Sequence, residues 1–333
     1  MSRELRSVQG ELQQLNGAVE ETNDALENMQ GSTEQASSAL DGMALQQAGQ
    51  QMQEYGQQIL EVVGNLTEFA SATETSMAKV NSILGLGSKE FSQYKEELKT
   101  GANELGMSYS DYADAAYSAI SASVAQEDVT DFLSQANSLA RGGLTDLEKS
   151  TDLLTTIQNA YGMTQEDMAH VSDVLIQTQN KGKITVDEMA SAMGKVIPTA
   201  KNAGVSIEQL GASYAIMTAK GIKSAESTTY LNSMFKELNT TGSNVDKAIR
   251  QVSGKSFQEL MQSGTTTGEA LQMLSEYAEK SGMKLSDLFG SGEAGTAALT
   301  LLSEGVEGYN EQLKNMKIKY DTTEMKNLRE ILF

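Results

Sequence analysis

From Leu5 to Met43 the chain sets hydrophobic against polar positions with a seven-residue repeat. Leu5, Leu12, Val19, Leu26, Thr33 and Leu40 hold one seam position, and Val8, Leu15, Thr22, Met29, Ala36 and Met43 the other. A 3-4 spacing keeps one stripe of a helix turned toward a partner, so it predicts a left-handed coiled coil of about 39 residues, roughly 60 Å long. After Gly42 the phase slips by two and the seam restarts as Leu45, Ala48, Met52, Tyr55, Ile59, Val62, Leu66 and Phe69. Such a slip bends or locally unwinds a supercoil without ending it. The flanking positions carry Gln9, Asn16, Asn23, Gln30 and Ser37 on one side and Glu11, Ala18, Ala25, Ser32 and Ala39 on the other. No Glu–Lys pairs select a partner there, and the small residues broaden the contact face, which favours trimers over dimers. A single amphipathic helix folded back on the rest of the chain satisfies the same pattern.

Beyond Ser82–Lys89, a glycine-rich break, the pattern changes to short amphipathic segments separated by a recurring unit. That unit is a glycine, an apolar residue, a Ser or Thr, and an acid or amide three residues later. Glycine accepts the left-handed backbone that ends a helix. The hydroxyl then caps the next helix, and the residue three on completes a capping box. The hydroxyls so assigned are Ser108 with Asp111, Thr145 with Glu148, Thr164 with Asp167, Thr185 with Glu188, Ser206 with Gln209, and Ser256 with Glu259. After Gly282 a lysine stands where the cap belongs, so Ser286 is the expected cap there. Positions 145, 164, 185 and 206 lie 19, 21 and 21 residues apart, a spacing that fits one short helix plus a turn. Pro198 is expected to kink or end a helix. Residues 239–244 and 263–268 read as loops. The fold class is all-α: an N-terminal coiled-coil helix over 1–79, a bundle or array of short capped helices over 80–310, and a basic segment over 311–333.

The capped region also carries a resemblance. G-K-V-I-P-T-A-K-N-A-G-V-S-I-E-Q-L-G-A, an Ala/Met-rich helix and K-G-I-K-S-A-E-S-T-T-Y-L follow one another between Gly194 and Leu231. This run resembles the core region of bacteriophage tail tape measure proteins from long-tailed phages of Gram-positive bacteria, including those of defective prophages and phage-tail-like bacteriocins. E-L-G-M-S-Y-S-D-Y-A-D-A-A-Y-S-A-I-S-A upstream and L-F-G-S-G-E-A-G-T-A-A-L-T-L-L downstream resemble the same region, so the likeness covers residues 80 to 310. It implies a structural protein of the phage tail that sets tube length, occupies the tube lumen and helps assembly and genome ejection. Tube, baseplate and tail-chaperone proteins are the partners it implies. Synthesis in the bacterial cytoplasm and residence in the virion follow from the same resemblance. The motifs are structural, so no catalytic residue is carried over. The long helical remainder usual in the family is missing after D-T-T-E-M-K-N-L-R-E-I-L-F, which implies a longer parent chain or a truncated product.

Composition narrows the alternatives. The chain is 39% apolar but 5% aromatic, with no Trp, one Pro and 17 Met, which suits helices packed through Ala, Leu and Met. Zero Cys removes disulfides and thiolate metal sites. No apolar stretch reaches the length of a transmembrane helix, and the first residues lack the apolar core of a signal peptide. A net charge of −20 makes nucleic-acid binding, which rests on Lys and Arg neutralising phosphates, an unexpected role. The charge is uneven. Eleven Asp and Glu and no basic residue lie between Arg6 and Lys79, whereas Lys314, Lys317, Lys319, Lys326 and Arg329 follow Glu311.

Several constellations that resemble chemistry dissolve on inspection. G-L-G-S-K at 85–89 lacks the spacing of a phosphate loop. Gly290-Ser291-Gly292-Glu293-Ala294-Gly295 matches G-x-G-x-x-G, but no strand precedes it, so it reads as a turn before a helix over 296–302. His170, the one histidine, has Asp167 and Asp173 near it on a helix face, and nothing else supplies a metal ligand. Asp187 and Glu188 are consecutive and diverge. Met189, Met193, Met217 and Met234 fit a core better than an adaptable surface. No catalytic, cofactor or metal site is assigned, and the chain reads as a non-enzyme. The rival reading is a non-phage coiled-coil adaptor or secreted helical effector that acts through protein–protein contacts.

Overall fold

The structure, a computed structural model, describes residues 73–319. The heptads over 5–69 and the last residues of the chain lie outside them. Within the described residues the chain is helical throughout, with short 3₁₀ turns and no strand. It divides into two compact units, one reaching Tyr117 and the other starting at Ser118.

The first unit contains α1 (73–84), α2 (Ser88–Leu105) and the start of α3 (Tyr109–Ser121). The glycine-rich break falls between α1 and α2, where Gly85 takes a φ of 63°. Gly101 lies buried in α2 because the Tyr112 ring fills the space beside it: a Cβ there would stand 2.4 Å from the Tyr112 hydroxyl. Ser108 caps α3, accepting the Asp111 N–H at 3.1 Å as its spacing predicts.

The second unit continues with α4 (Val129–Gly142), α5 (Leu147–Tyr161), α6 (Met168–Lys181), α7 (Val186–Ala192) and α8 (Ile197–Asn202). Then follow α9 (Ile207–Ala219), α10 (Ser224–Leu238), α11 (Asn244–Ser253), α12 (Phe257–Gln262), α13 (Thr267–Lys280), α14 (Gly292–Leu301) and α15 (Gly305–Asn315). At the centre stands α9, packed against α6, α10, α14 and α15. Ten of its thirteen residues are buried, including Gly211, Ser213 and Thr218. A helix apolar on one stripe only would sit at a surface; this one is small or apolar all round and is enclosed. Close approach explains its small residues. A Cβ at Gly211 would stand 2.6 Å from Thr178 Oγ1 and 3.3 Å from Met316 Sδ.

Most of the expected caps are in place, and the exceptions have physical reasons. Thr185 and Ser256 make full boxes with Glu188 and Glu259, at 2.7 to 3.2 Å. Asp167 accepts the Thr164 N–H at 2.8 Å. Ser206 caps α9 at 3.3 Å, but Gln209 does not close the box. Its amide oxygen instead accepts the N–H and the hydroxyl of Thr267, both at 2.7 Å, inside the core. Thr145 is not a cap. Asp146 accepts the Lys149 N–H at 2.8 Å, while the Thr145 hydroxyl donates to Asp187 at 2.9 Å. Nor does Ser286 cap: the Asp287 carboxylate reaches back to the Lys284 N–H at 3.0 Å. Gly143 departs from the unit as well. Its φ is −89°, and the buried Val186 side chain packs 2.4 Å from where its Cβ would be, so Leu144 takes the left-handed φ of 54°. Pro198 neither kinks nor ends a helix but sits in the first turn of α8, where its missing N–H costs nothing. The two predicted loops separate α10 from α11 and α12 from α13.

Candidate functional site

The residues that looked chemically suggestive are occupied by the fold. His170 on α6 does not pair with Asp167 or Asp173. Its Nε2 lies 2.7 Å from Glu208 Oε1, on the first turn of α9. Burial opposes ionisation of Glu208, but hydrogen bonds from Ser206, from His170 and from its own backbone outweigh it and hold the carboxyl below its ordinary value. Asp167 is committed to its cap. Among the described residues no group of acids and histidine could hold a metal ion. Asp187 accepts from Lys149 Nζ at 2.5 Å and from Thr145, and those two bonds, in that order, hold its carboxyl low. Glu188 is half of a box. The consecutive acids therefore face different partners, as their spacing on a helix requires.

The glycine-rich run at 290–295 forms the entry to α14, which starts at Gly292, four residues earlier than expected. Ser291 caps it. A helix N-terminus of this kind attracts anions, and here the chain supplies its own: Glu237, from the last turn of α10, accepts the Gly290 N–H at 2.6 Å and the Ser291 hydroxyl at 2.5 Å. An acid from 53 residues upstream fills the place a phosphate would take. That residue carried no local signal in the sequence. Met189, Met193, Met217 and Met234 all lie in the core with no exposed surface.

Among the described residues a groove lies open between α4 and α6. Two adjoining hollows of about 450 and 680 Å³ share Gln135, Glu166 and Ala169. Asp128, Asp131 and Asp173 add acids to its walls, with His170 and Lys319 at one end. A hydrogen bond from Thr164 holds the Glu166 carboxyl below its ordinary value. The remaining lining is mostly uncharged polar, from Ser123, Ser134 and Ser138 to Gln158. Hydroxyls, amides and acids together suit contact with a polar partner. No local signal in the sequence marks the groove, because it depends on how two helices far apart in the chain pack.

A model of the phage-related minor tail protein family matches residues 95–290, more than half of the chain. Over 258 residues the chain is 31% identical to a probable tape measure protein of Clostridium phage phiCD119. The alignment covers 74% of this chain and 27% of that relative, so the chain spans about a quarter of the relative's length. No solved structure matches. The matched residues run from α2 to the turn before α14. With the family model, the relative and an all-α body in agreement, the chain belongs to the phage-related minor tail protein family, as its resemblance to tape measure proteins implies.

Proposed function

We propose that this chain is the N-terminal part of a tape measure protein, one that sets the length of the tail tube, lies in its lumen within the virion and assists assembly and genome ejection. The observation that carries this reading is the 31% identity to a probable tape measure protein across three quarters of the chain. Physical logic supports it: a helix rises about 1.5 Å per residue, so an extended helical assembly has a length fixed by residue count. The heptads over 5–69 supply such an extended element, and residues 80–310 supply a folded body joined to it. Tube, baseplate and tail-chaperone proteins are the partners, and the N-terminal heptads hold copies together as trimers. We read the chain as non-catalytic, because the motifs that carry its resemblance are structural and the carboxylates singled out in the sequence, Asp167, Asp187 and Glu188, are held in caps or by Lys149. The experiment is a series of in-frame deletions in the extended helical part of the parent protein, with tails measured by electron microscopy. Tails should shorten by about 1.5 Å for each residue removed. Constant tail length across the series overturns the ruler role.

A further inference from the structure

Five of the twenty lysines of this acidic chain come from three stretches of sequence that the fold brings together. Thr178, in the last turn of α6, touches Met316 Sδ at 3.5 Å and accepts the Gly182 N–H on its carbonyl at 2.9 Å. Gln177 donates to the Ile318 carbonyl at 3.5 Å, and the Lys183 N–H donates to Thr218 Oγ1 at 3.1 Å. These bonds bring three stretches of sequence together: Lys181 and Lys183, Lys223 after the end of α9, and Lys317 and Lys319 after α15. All five residues are exposed. Among the described residues no ion pair answers any of them. Of the acids close by, Glu304 pairs with Lys220 at 2.6 Å and Asp187 with Lys149, while Glu188 sits in its box, Glu226 follows Lys223 by three residues, and Glu166 and Asp173 line the hollow that Lys319 borders.

The ordinary explanation for such lysines is that they answer helix C-termini, and α6, α9 and α15 do end here. Each terminus carries only about half a negative charge. Three of them offset about one and a half of five positive charges and the nearby acids part of the rest, which leaves a basic patch on a molecule whose net charge is −20. A patch of this kind marks a surface for an acidic partner. The same sequence contains one: residues 7–78 carry eleven acids and no base. We propose that the lysine face of one copy docks the acidic stretch 7–78 of a second copy, so that copies join head to tail as well as through their heptads.

The test uses the full chain. Copies labelled with ¹⁴N and ¹⁵N are mixed and treated with a carbodiimide, which links a lysine amine directly to a carboxylate it touches. Mass spectrometry should find Lys181, Lys183, Lys223, Lys317 and Lys319 joined to acids between Glu11 and Glu74 in mixed-isotope pairs. Raising salt from about 50 to about 500 mM should reduce those pairs severalfold. The variant combining Lys181→Glu, Lys183→Glu, Lys223→Glu and Lys317→Glu should lose association by at least about tenfold. Links found only within one isotope, or only to acids outside 11–74, overturn the proposal. So does unchanged association of the variant. Binding of a short DNA duplex by the wild type and not the variant, with no mixed pairs, would assign the face to nucleic acid and overturn it equally. The coupling map of the wild type stands whether or not the variant folds.

Discussion

Gln209 joins α9 to α13 by accepting two hydrogen bonds from Thr267, a residue with no exposed surface. Truncation strands two buried donors, so Gln209→Ala should cost about 1–3 kcal/mol in chemical denaturation. Ser206, three residues earlier, makes one cap bond, and Ser206→Ala should cost about 1 kcal/mol. The same measurement separates Thr145 from Asp146. Asp146→Ala removes a cap and should also cost about 1 kcal/mol, with Thr145→Ala costing less because no helix start depends on it. Equal losses at 145 and 146 would mean that the hydroxyl caps after all. Glu208 gives a pH dependence whose sign is fixed by its depressed carboxyl. A carboxyl bound more weakly by protons when folded contributes stability above its unfolded value, about 4.3, and that stability is lost as pH falls through the folded value. The melting-temperature gap between wild type and Glu208→Gln should therefore be widest at neutral pH and close in acid; a gap that widens in acid would contradict it. At this scale the sequence was legible where a side chain acts within three residues of itself. Ser108, Thr185 and Ser256 are such cases. It was silent where the partner is far along the chain, as with Gln209 and Thr267, Glu237 and Ser291, or His170 and Glu208.

At the scale of elements, glycine and cap signals locate helix ends well, because capping is decided by a handful of consecutive residues. They do not say which helix is enclosed. That α9 is central could be read from its own composition, since Gly211, Ala212, Ser213 and Ala215 leave no polar face for water. Its neighbours could not be read, since they are set by which surfaces approach closely enough to need a glycine. Gly268 is one such point: a Cβ there would stand 2.7 Å from the Tyr309 ring, so α13 and α15 meet at a distance only glycine permits. The groove between α4 and α6 was invisible for the same reason. The heptads behave differently, because their signal is long and periodic. Residues 5–75 as a fragment should self-associate as trimers at tens of micromolar in sedimentation equilibrium, and a strictly monomeric species would refute the seam. Eleven acids against the single base Arg6 repel one another there, so this association should strengthen as salt is added. The lysine-face contact carries the opposite sign, so one salt series tells the two apart.

For the whole molecule the issue is which parts can serve as a length standard. As one continuous helix, 333 residues would reach only about 500 Å. The second unit is much shorter than its residue count allows, because its helices are turned back on one another around α9. Residues removed from a folded body change its packing and not its reach. Deleting 183–204, which takes out α7 and α8 with their caps, strips Met189, Met193, Val196 and Ile197 from the core. Each lost side chain of this size costs about 2–5 kcal/mol, so the body as a whole should fail. The expected result is tails that are absent, few or defective in ejection, with any that form keeping the parental length. A deletion of equal size in the extended helical part should give normal numbers of tails, each about 33 Å shorter. Tails shortened in proportion by the 183–204 deletion would mean that the capped helices are paid out as a rod during assembly, and that the body described here is a state the protein leaves before the tube is built.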